Sequence, residues 1–164
     1  MTVINSRRLF LMASLCSVLE PSLIFASQQN AAIEIVDKAV SKINQIINSG
    51  GTQTQMLSAF ERVFNVYADV PTIAKYALGR DARTASEDQL KAYIRAFSGY
   101  FSNKYGKRFR EFIGGKIEII SVVKIKNYYS VNTIAHMPAY EPFEVDFLVS
   151  DRSGQPLVFN LIIE

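Results

Sequence analysis

The chain predicts an α+β domain: N-terminal helices packed on one face of a four-stranded antiparallel sheet, with an apolar cavity between the layers. Three observations predict it. Through the first two thirds, apolar residues recur every three or four positions, the period of an amphipathic helix. From Ile117 onward they alternate, the period of a strand. Glycine breaks at Asn48-Ser49-Gly50-Gly51-Thr52 and at Gly114-Gly115 separate a first helix, a long helical middle and a strand-rich last third. Strands joined in series by short links pair as a meander, and helices that precede such a sheet cover one of its faces.

Ile33, Val36, Val40, Ile43 and Ile47 form the apolar stripe of a first helix over residues 31–47. Met56, Leu57, Phe60, Val63, Phe64 and Tyr67 repeat that spacing in a second. Asp69 caps a short third helix, with Pro71 tolerated in its first turn and Gly79 stopping it after Leu78. Ser86 and Gln89 have capping-box spacing and open the longest helix. There Leu90, Tyr93, Ile94, Phe97, Phe101 and Tyr105 share a face that Phe109, Phe112 and Ile113 continue. Gly99 and Gly106 interrupt it, and since an interior Gly costs about 1 kcal/mol relative to Ala, each marks a bend or a close approach.

Four strands follow. Ile117, Ile119, Val123 and Ile125 alternate in the first, Tyr129, Val131 and Thr133 in the second, Phe143, Val145, Phe147 and Val149 in the third, and Leu157, Phe159, Leu161 and Ile163 in the fourth. Lys126-Asn127, residues 138–142 and Asp151-Arg152-Ser153-Gly154 are the turns between them.

Residues 1–26 read as a cleavable export signal: Arg7 and Arg8, an apolar run from Leu9 to Leu19, and an end at Ala26. Glu20 and Pro21 break the apolar run well short of the roughly 20 residues a membrane span needs. Ser6-Arg7-Arg8-Leu9-Phe10-Leu11 matches a twin-arginine motif except for Met12 in place of a Lys, and an ordinary basic leader fits equally well. Cys16 stands where a lipoprotein cysteine could, but Leu15 before it is larger than lipoprotein processing favours.

Residues 27–164 then make a single domain with a real core. It carries 16 basic and 14 acidic residues, a formal charge of +2, which gives no footprint for nucleic acid. Its lack of cysteine excludes an internal disulfide, a thiol nucleophile and a cysteine-ligated metal. No metal or cofactor is expected.

Catalytic patterns are missing too. His136, the lone histidine, sits at a strand end with no HExxH and no second metal-type ligand nearby, and no G-x-S-x-G turn occurs. Glu144 and Asp146 fall on one strand face opposite Phe143, Val145 and Phe147, the solvated side of a half-buried strand. Lys104, Lys107, Arg108 and Arg110, interleaved with Tyr105 and Phe109, form either a solvated helix face or a positive lip beside an apolar cavity.

The segment from Phe60 to Phe64, Asp69-Val70-Pro71-Thr72-Ile73-Ala74-Lys75-Tyr76-Ala77-Leu78-Gly79-Arg80, Arg83-Thr84-Ala85-Ser86 and the helix from Gln89 to Tyr105 resemble the MlaC / toluene-tolerance family of phospholipid-binding proteins. With the strands, the resemblance covers nearly all of residues 27–164. It implies helices and a twisted sheet around a cavity that takes acyl chains and leaves the headgroup outside. It also implies a monomeric, non-enzymatic shuttle in the periplasm, exchanging phospholipid between an inner-membrane ABC-type transport complex and an outer-membrane lipoprotein complex to maintain outer-membrane asymmetry. Two departures stand out: Ala82 replaces an aromatic usual between Gly79 and Arg83, and the chain stops at Ile162-Ile163-Glu164 where relatives continue. A truncated C-terminus is expected to leave one wall of the cavity open.

By facing and size, the expected lining is Phe60, Phe64, Ile73, Tyr76, Phe97, Phe101, Tyr105, Ile119, Val131, Val145 and Phe147. Lys104, Lys107, Arg108 and Arg110 are expected to meet a headgroup or a partner. Burying two acyl chains, at about 0.8 kcal/mol for each CH₂ taken from water, is expected to allow extraction from a bilayer without ATP at the carrier itself. Two other classes stay open: a small apolar-substrate enzyme using Tyr129, Tyr76 and Asp146, and an interaction protein without a ligand.

Overall fold

The computed structural model describes residues 21–106, 111 and 113–164, with side chains from Ser27 onward. Helix α1 spans Pro21–Ile47, α2 Gln53–Tyr67, α3 Val70–Leu78 and α4 Glu87–Gly106, with a 3₁₀ stretch at Gly79–Arg83 between the last two. Strands β1 (Lys116–Ile125), β2 (Tyr128–His136), β3 (Phe143–Ser150) and β4 (Leu157–Ile163) follow. They form one antiparallel sheet in the order β1-β2-β3-β4. The expected α+β class and meander are therefore both present.

Local chemistry sets the helix ends where the sequence places them. Thr52 and Gln55 close a capping box on α2, and Asp69 caps α3 by accepting from the Thr72 N–H at 3.1 Å. Gly79 ends α3 at φ 65°, a left-handed conformation that a residue with a Cβ rarely adopts. Ser86 and Gln89 exchange side-chain and backbone bonds at 2.9 and 3.3 Å ahead of α4. Helix α1 starts earlier than its stripe suggests, at Pro21, a residue accepted in a first turn. The export-signal reading falls mainly on residues outside those described, as do Phe109 and Phe112.

Helix α4 runs unbroken through Gly99 as far as Gly106. Ser98, Ser102 and Gly106, spaced by four, are its buried positions, and they let α4 lie close to α2. Ser98 Oγ donates to Asn65 Oδ1 of α2 at 2.9 Å across this contact. The aromatic row Phe97, Phe101 and Tyr105 runs beside this line of small residues.

Two strands shift register, and each shift moves side chains across the sheet. Against β2, the partners step from Ile119↔Thr133 to Ser121↔Asn132, leaving Ile120 as the extra residue. Val122 consequently packs inward opposite Val131, while Val123 and Ile125, expected on the face of Ile117 and Ile119, turn outward and are exposed. Against β3, the partners step from Leu148↔Asn160 to Val149↔Val158, so Phe159 is the extra residue. Val158 takes the buried place, and Leu161 and Ile163 stand opposite Phe147 and Val145 on the inner face.

Among the described residues, α1 and the α2–α3 junction tie the helical layer to the sheet. Helix α1 crosses the inner face and touches all four strands. At the α2–α3 junction the Asp69 N–H donates to Val158 O at 2.8 Å, and buried Asp69 accepts from the Ser153 hydroxyl in the β3–β4 turn. One carboxylate thus caps α3 and pins it to the edge of the sheet.

Candidate functional site

The space under α1 differs from one end to the other. Toward its N-terminal half, Ala32, Val36 and Val40 close on Tyr129, Val131 and Val149, all buried. Val36 and Val131 are 0% exposed. Toward its C-terminal end, Ile43 and Ile47 meet Phe60 of α2 and Phe101 of α4 instead of the sheet. There the layers separate around a cavity of about 490 Å³.

Aromatic rings hold that separation. Phe60 and Phe64 lie 6.4 Å apart between centroids, Phe64 and Phe101 stack at 4.3 Å with planes 10° apart, and Phe101 meets Tyr105 at 4.5 Å. Each ring is braced by its neighbour, so the wall resists collapse into the gap. The floor is Val145, Phe147 and Val158, and Leu161 and Ile163 line the side toward the β4 edge at 45% and 67% exposure. No charged side chain lines the cavity among the described residues; the polar ones are Asn44, Asn160, Tyr67 and Tyr105. Such a surface can hold hydrocarbon.

Of the eleven residues expected on the cavity, Phe60, Phe64, Ile73, Phe101, Tyr105, Val145 and Phe147 line it. The other four do not. Val131 belongs to the closed core, and Ile119 packs against that core. Phe97 touches Tyr93 and Phe101 from behind the wall, with centroids 6.1 and 5.8 Å away. Tyr76 is 89% exposed, because α3 is only nine residues long and turns Val70 and Ala74 inward, not Tyr76.

Sequence reasoning missed Ile43 and Ile47 of α1, Ile117, Ala135 and Phe143 of the sheet, Met137 just after β2, and Phe159, Leu161 and Ile163 of β4 as lining. Alternation with Val145 and Phe147 could have added Phe143. Nothing in the α1 stripe distinguishes the turn that meets the sheet from the turn that does not.

Lys104 Nζ lies 5.7 Å from the centroid of Tyr105, a lining residue, and 5.9 Å from that of Tyr100. The rest of the expected basic lip, Lys107, Arg108 and Arg110, lies outside the described residues. The three groups of the enzymatic alternative do not converge. Tyr129 is in the closed core, Tyr76 is in solvent, and Asp146 is on the outer sheet face, accepting from Asn132 Nδ2 at 2.7 Å. His136 is a half-exposed surface residue 4.0 Å from Glu118. Among the described residues no group of three or more His, Cys, Asp or Glu could hold a metal ion, and no helix is long and apolar enough to cross a membrane.

The fold and the site define a class: an α+β domain whose helical layer is held off an antiparallel sheet by aromatic rings, with an apolar cavity between them. The model of the family described as MlaC protein matches residues 34–164, and the chain belongs to the MlaC family. Among solved structures, the phospholipid-binding protein from Ralstonia solanacearum, determined in complex with a phospholipid, has a similar fold. The TM-score is 0.70 at 16% identity, over 81% of this chain and 78% of that one. Comparison with curated proteins gives no match.

Proposed function

We propose that this protein is a periplasmic phospholipid-binding carrier, exported by its N-terminal signal, that shuttles lipid between an inner-membrane ABC-type complex and an outer-membrane lipoprotein complex. The observation that carries the reading is the carbon-lined cavity of about 490 Å³ in a chain of the MlaC family. A soluble carrier needs a surface that replaces the bilayer for an acyl chain, and each CH₂ moved from water to such a surface contributes about 0.8 kcal/mol. Extraction then needs no ATP at the carrier, and the partners set the direction. The protein works as a monomer, with Lys104 and the basic residues after it beside the headgroup or against an acidic partner.

Native mass spectrometry of protein purified from the periplasm of its own host tests this. The expected result is a species beginning near Ser27 with a lipid mass bound. A ligand-free protein, or a full-length cytoplasmic one, refutes the carrier or its compartment respectively. Replacing Arg7 and Arg8 with lysine tests the route, since the twin-arginine pathway reads the guanidinium pair and not its charge alone.

A further inference from the structure

The cavity has a built end, opposite its open side. Lining residues step along α1 from Ile47 through Ile43 to Ala39, and along β4 from Ile163 through Leu161 to Val158. Along β4 the exposure falls in that direction from 67% through 45% to 7%, and Ala39 is buried. Three contacts close the corner where the two rows end. Past Ala39, Val36 and Val40 are seated on the sheet. Past Val158, its register partners Val149 and then Tyr129 are core. From the side, Ala68 pairs with Val158 as a parallel bridge, and the Asp69 N–H donates to Val158 O at 2.8 Å. Backbone bonded in this way cannot yield to a ligand without leaving buried polar groups unpaired.

Side chains at this corner are small. Ala39, Ala68 and Val158 surround it, whereas the rings of Phe64, Phe101 and Phe147 line the middle of the cavity. With no charged side chain among the described lining, a phosphate head stays at the open side while a hydrocarbon tail runs inward. We propose that the corner receives the methyl end of one acyl chain of the phospholipid, and that Ala39 sets how far the chain enters and so selects its length. This inference rests on the carrier reading above. A chain that ends within the available depth passes from bilayer to protein without facing water. Every CH₂ beyond that depth stays in water and lowers loading about fourfold, the equivalent of about 0.8 kcal/mol. Ala39→Leu adds roughly three carbons at the stop, which takes the place of at least two CH₂ groups of the ligand.

The test loads the full exported protein, stripped of lipid, from vesicles holding equimolar dilauroyl, dimyristoyl, dipalmitoyl and distearoyl phosphatidylglycerol, and reads the adducts by native mass spectrometry. In Ala39→Leu the most abundant adduct is expected to move to chains at least two carbons shorter than in wild type, with the distearoyl-to-dimyristoyl ratio at least tenfold lower. Leu161→Phe, a comparable enlargement on the open side where a chain can shift toward solvent, is expected to keep the wild-type profile. An unchanged profile in folded Ala39→Leu, an equal shift in Leu161→Phe, or loss of adducts at every length overturns the gauge and leaves the carrier reading standing. No phospholipid on wild type overturns both. Should Ala39→Leu fail to fold, Ala68→Leu makes the same test from the facing wall, at a position whose extended backbone accepts any side chain, and an unchanged profile there overturns the gauge equally.

Discussion

The two ends of α1 sit over one sheet and are built from the same kinds of residue, yet one end is closed and the other hollow. At the closed end Ala32, Val36 and Val40 are small enough for the helix to settle onto Tyr129, Val131 and Val149. At the hollow end Ile43 and Ile47 rest on Phe60 and Phe101, and the stack Phe60–Phe64–Phe101–Tyr105 keeps α1 away from Val145 and Phe147. What differs is the partner. A face that meets the sheet directly becomes core, and the same face propped up by rings from α2 and α4 becomes a cavity wall.

Placing one charge at each end gives the sharpest test of that contrast. Val36→Asp puts an unpaired carboxylate into a fully closed site, a cost of several kcal/mol against a domain stability of about 5–15 kcal/mol. A loss of the cooperative thermal transition is expected. Phe101→Asp places the same charge on a half-buried wall that water can reach, so the chain is expected to fold and melt cooperatively while lipid retention in native mass spectrometry falls at least tenfold. If Phe101→Asp unfolds the chain as thoroughly as Val36→Asp, the two ends are one core and the contrast fails.

Truncation separates them more gently. Val131→Ala, at 0% exposure, is expected to cost about 2 kcal/mol in urea unfolding through the void it leaves. Ile163→Ala, at 67% exposure on the open side, is expected to stay within about 0.5 kcal/mol of wild type yet to weaken lipid retention. An Ile163→Ala variant that loses stability and keeps its lipid would mark β4 as core, not as wall.

Tyr129 offers a change of the opposite sign. Its hydroxyl is buried in the closed end with no hydrogen-bond partner among the described residues, so Tyr129→Phe is expected to raise stability by about 1 kcal/mol with lipid binding unchanged. A fall in stability would reveal a partner for that hydroxyl.

The smallest effect belongs to the solvent side of α1, where Lys38 Nζ donates to Glu34 Oε1 at 2.5 Å. That hydrogen bond, and then the charge of Lys38, hold the Glu34 carboxyl below its ordinary pKa, and the same pair raises Lys38. Whatever stability Glu34 supplies is full above its unfolded pKa and lost as pH falls through the lowered one. Lys38 contributes below its unfolded pKa and loses that contribution as pH rises through the raised one. Both side chains are solvated, so Glu34→Gln is expected to lower the neutral-pH melt only slightly, and that small deficit to vanish as the pH falls through the lowered pKa of Glu34.

Sequence by itself determined the elements and several of their ends: the caps at Asp69 and Ser86, the stop at Gly79, and the change of period after Gly115 are local facts of backbone hydrogen bonding and side-chain spacing. It also determined the inward sets of β2 and β3, because their alternation runs unbroken. Tertiary structure alone decided which apolar positions became cavity wall. Val131, Ile119, Phe97 and Tyr76 carry the same spacing signals as Phe60, Phe101 and Val145, but spacing reports only the face a side chain takes, not how far away the next layer stands. The register shifts at Ile120 and Phe159 belong to the same category, since an extra residue in one strand is defined only by its partner strand. That distance between layers depends on the ring stack of two helices that meet 37 residues apart in the chain, from Phe64 to Phe101, a contact that no local pattern encodes.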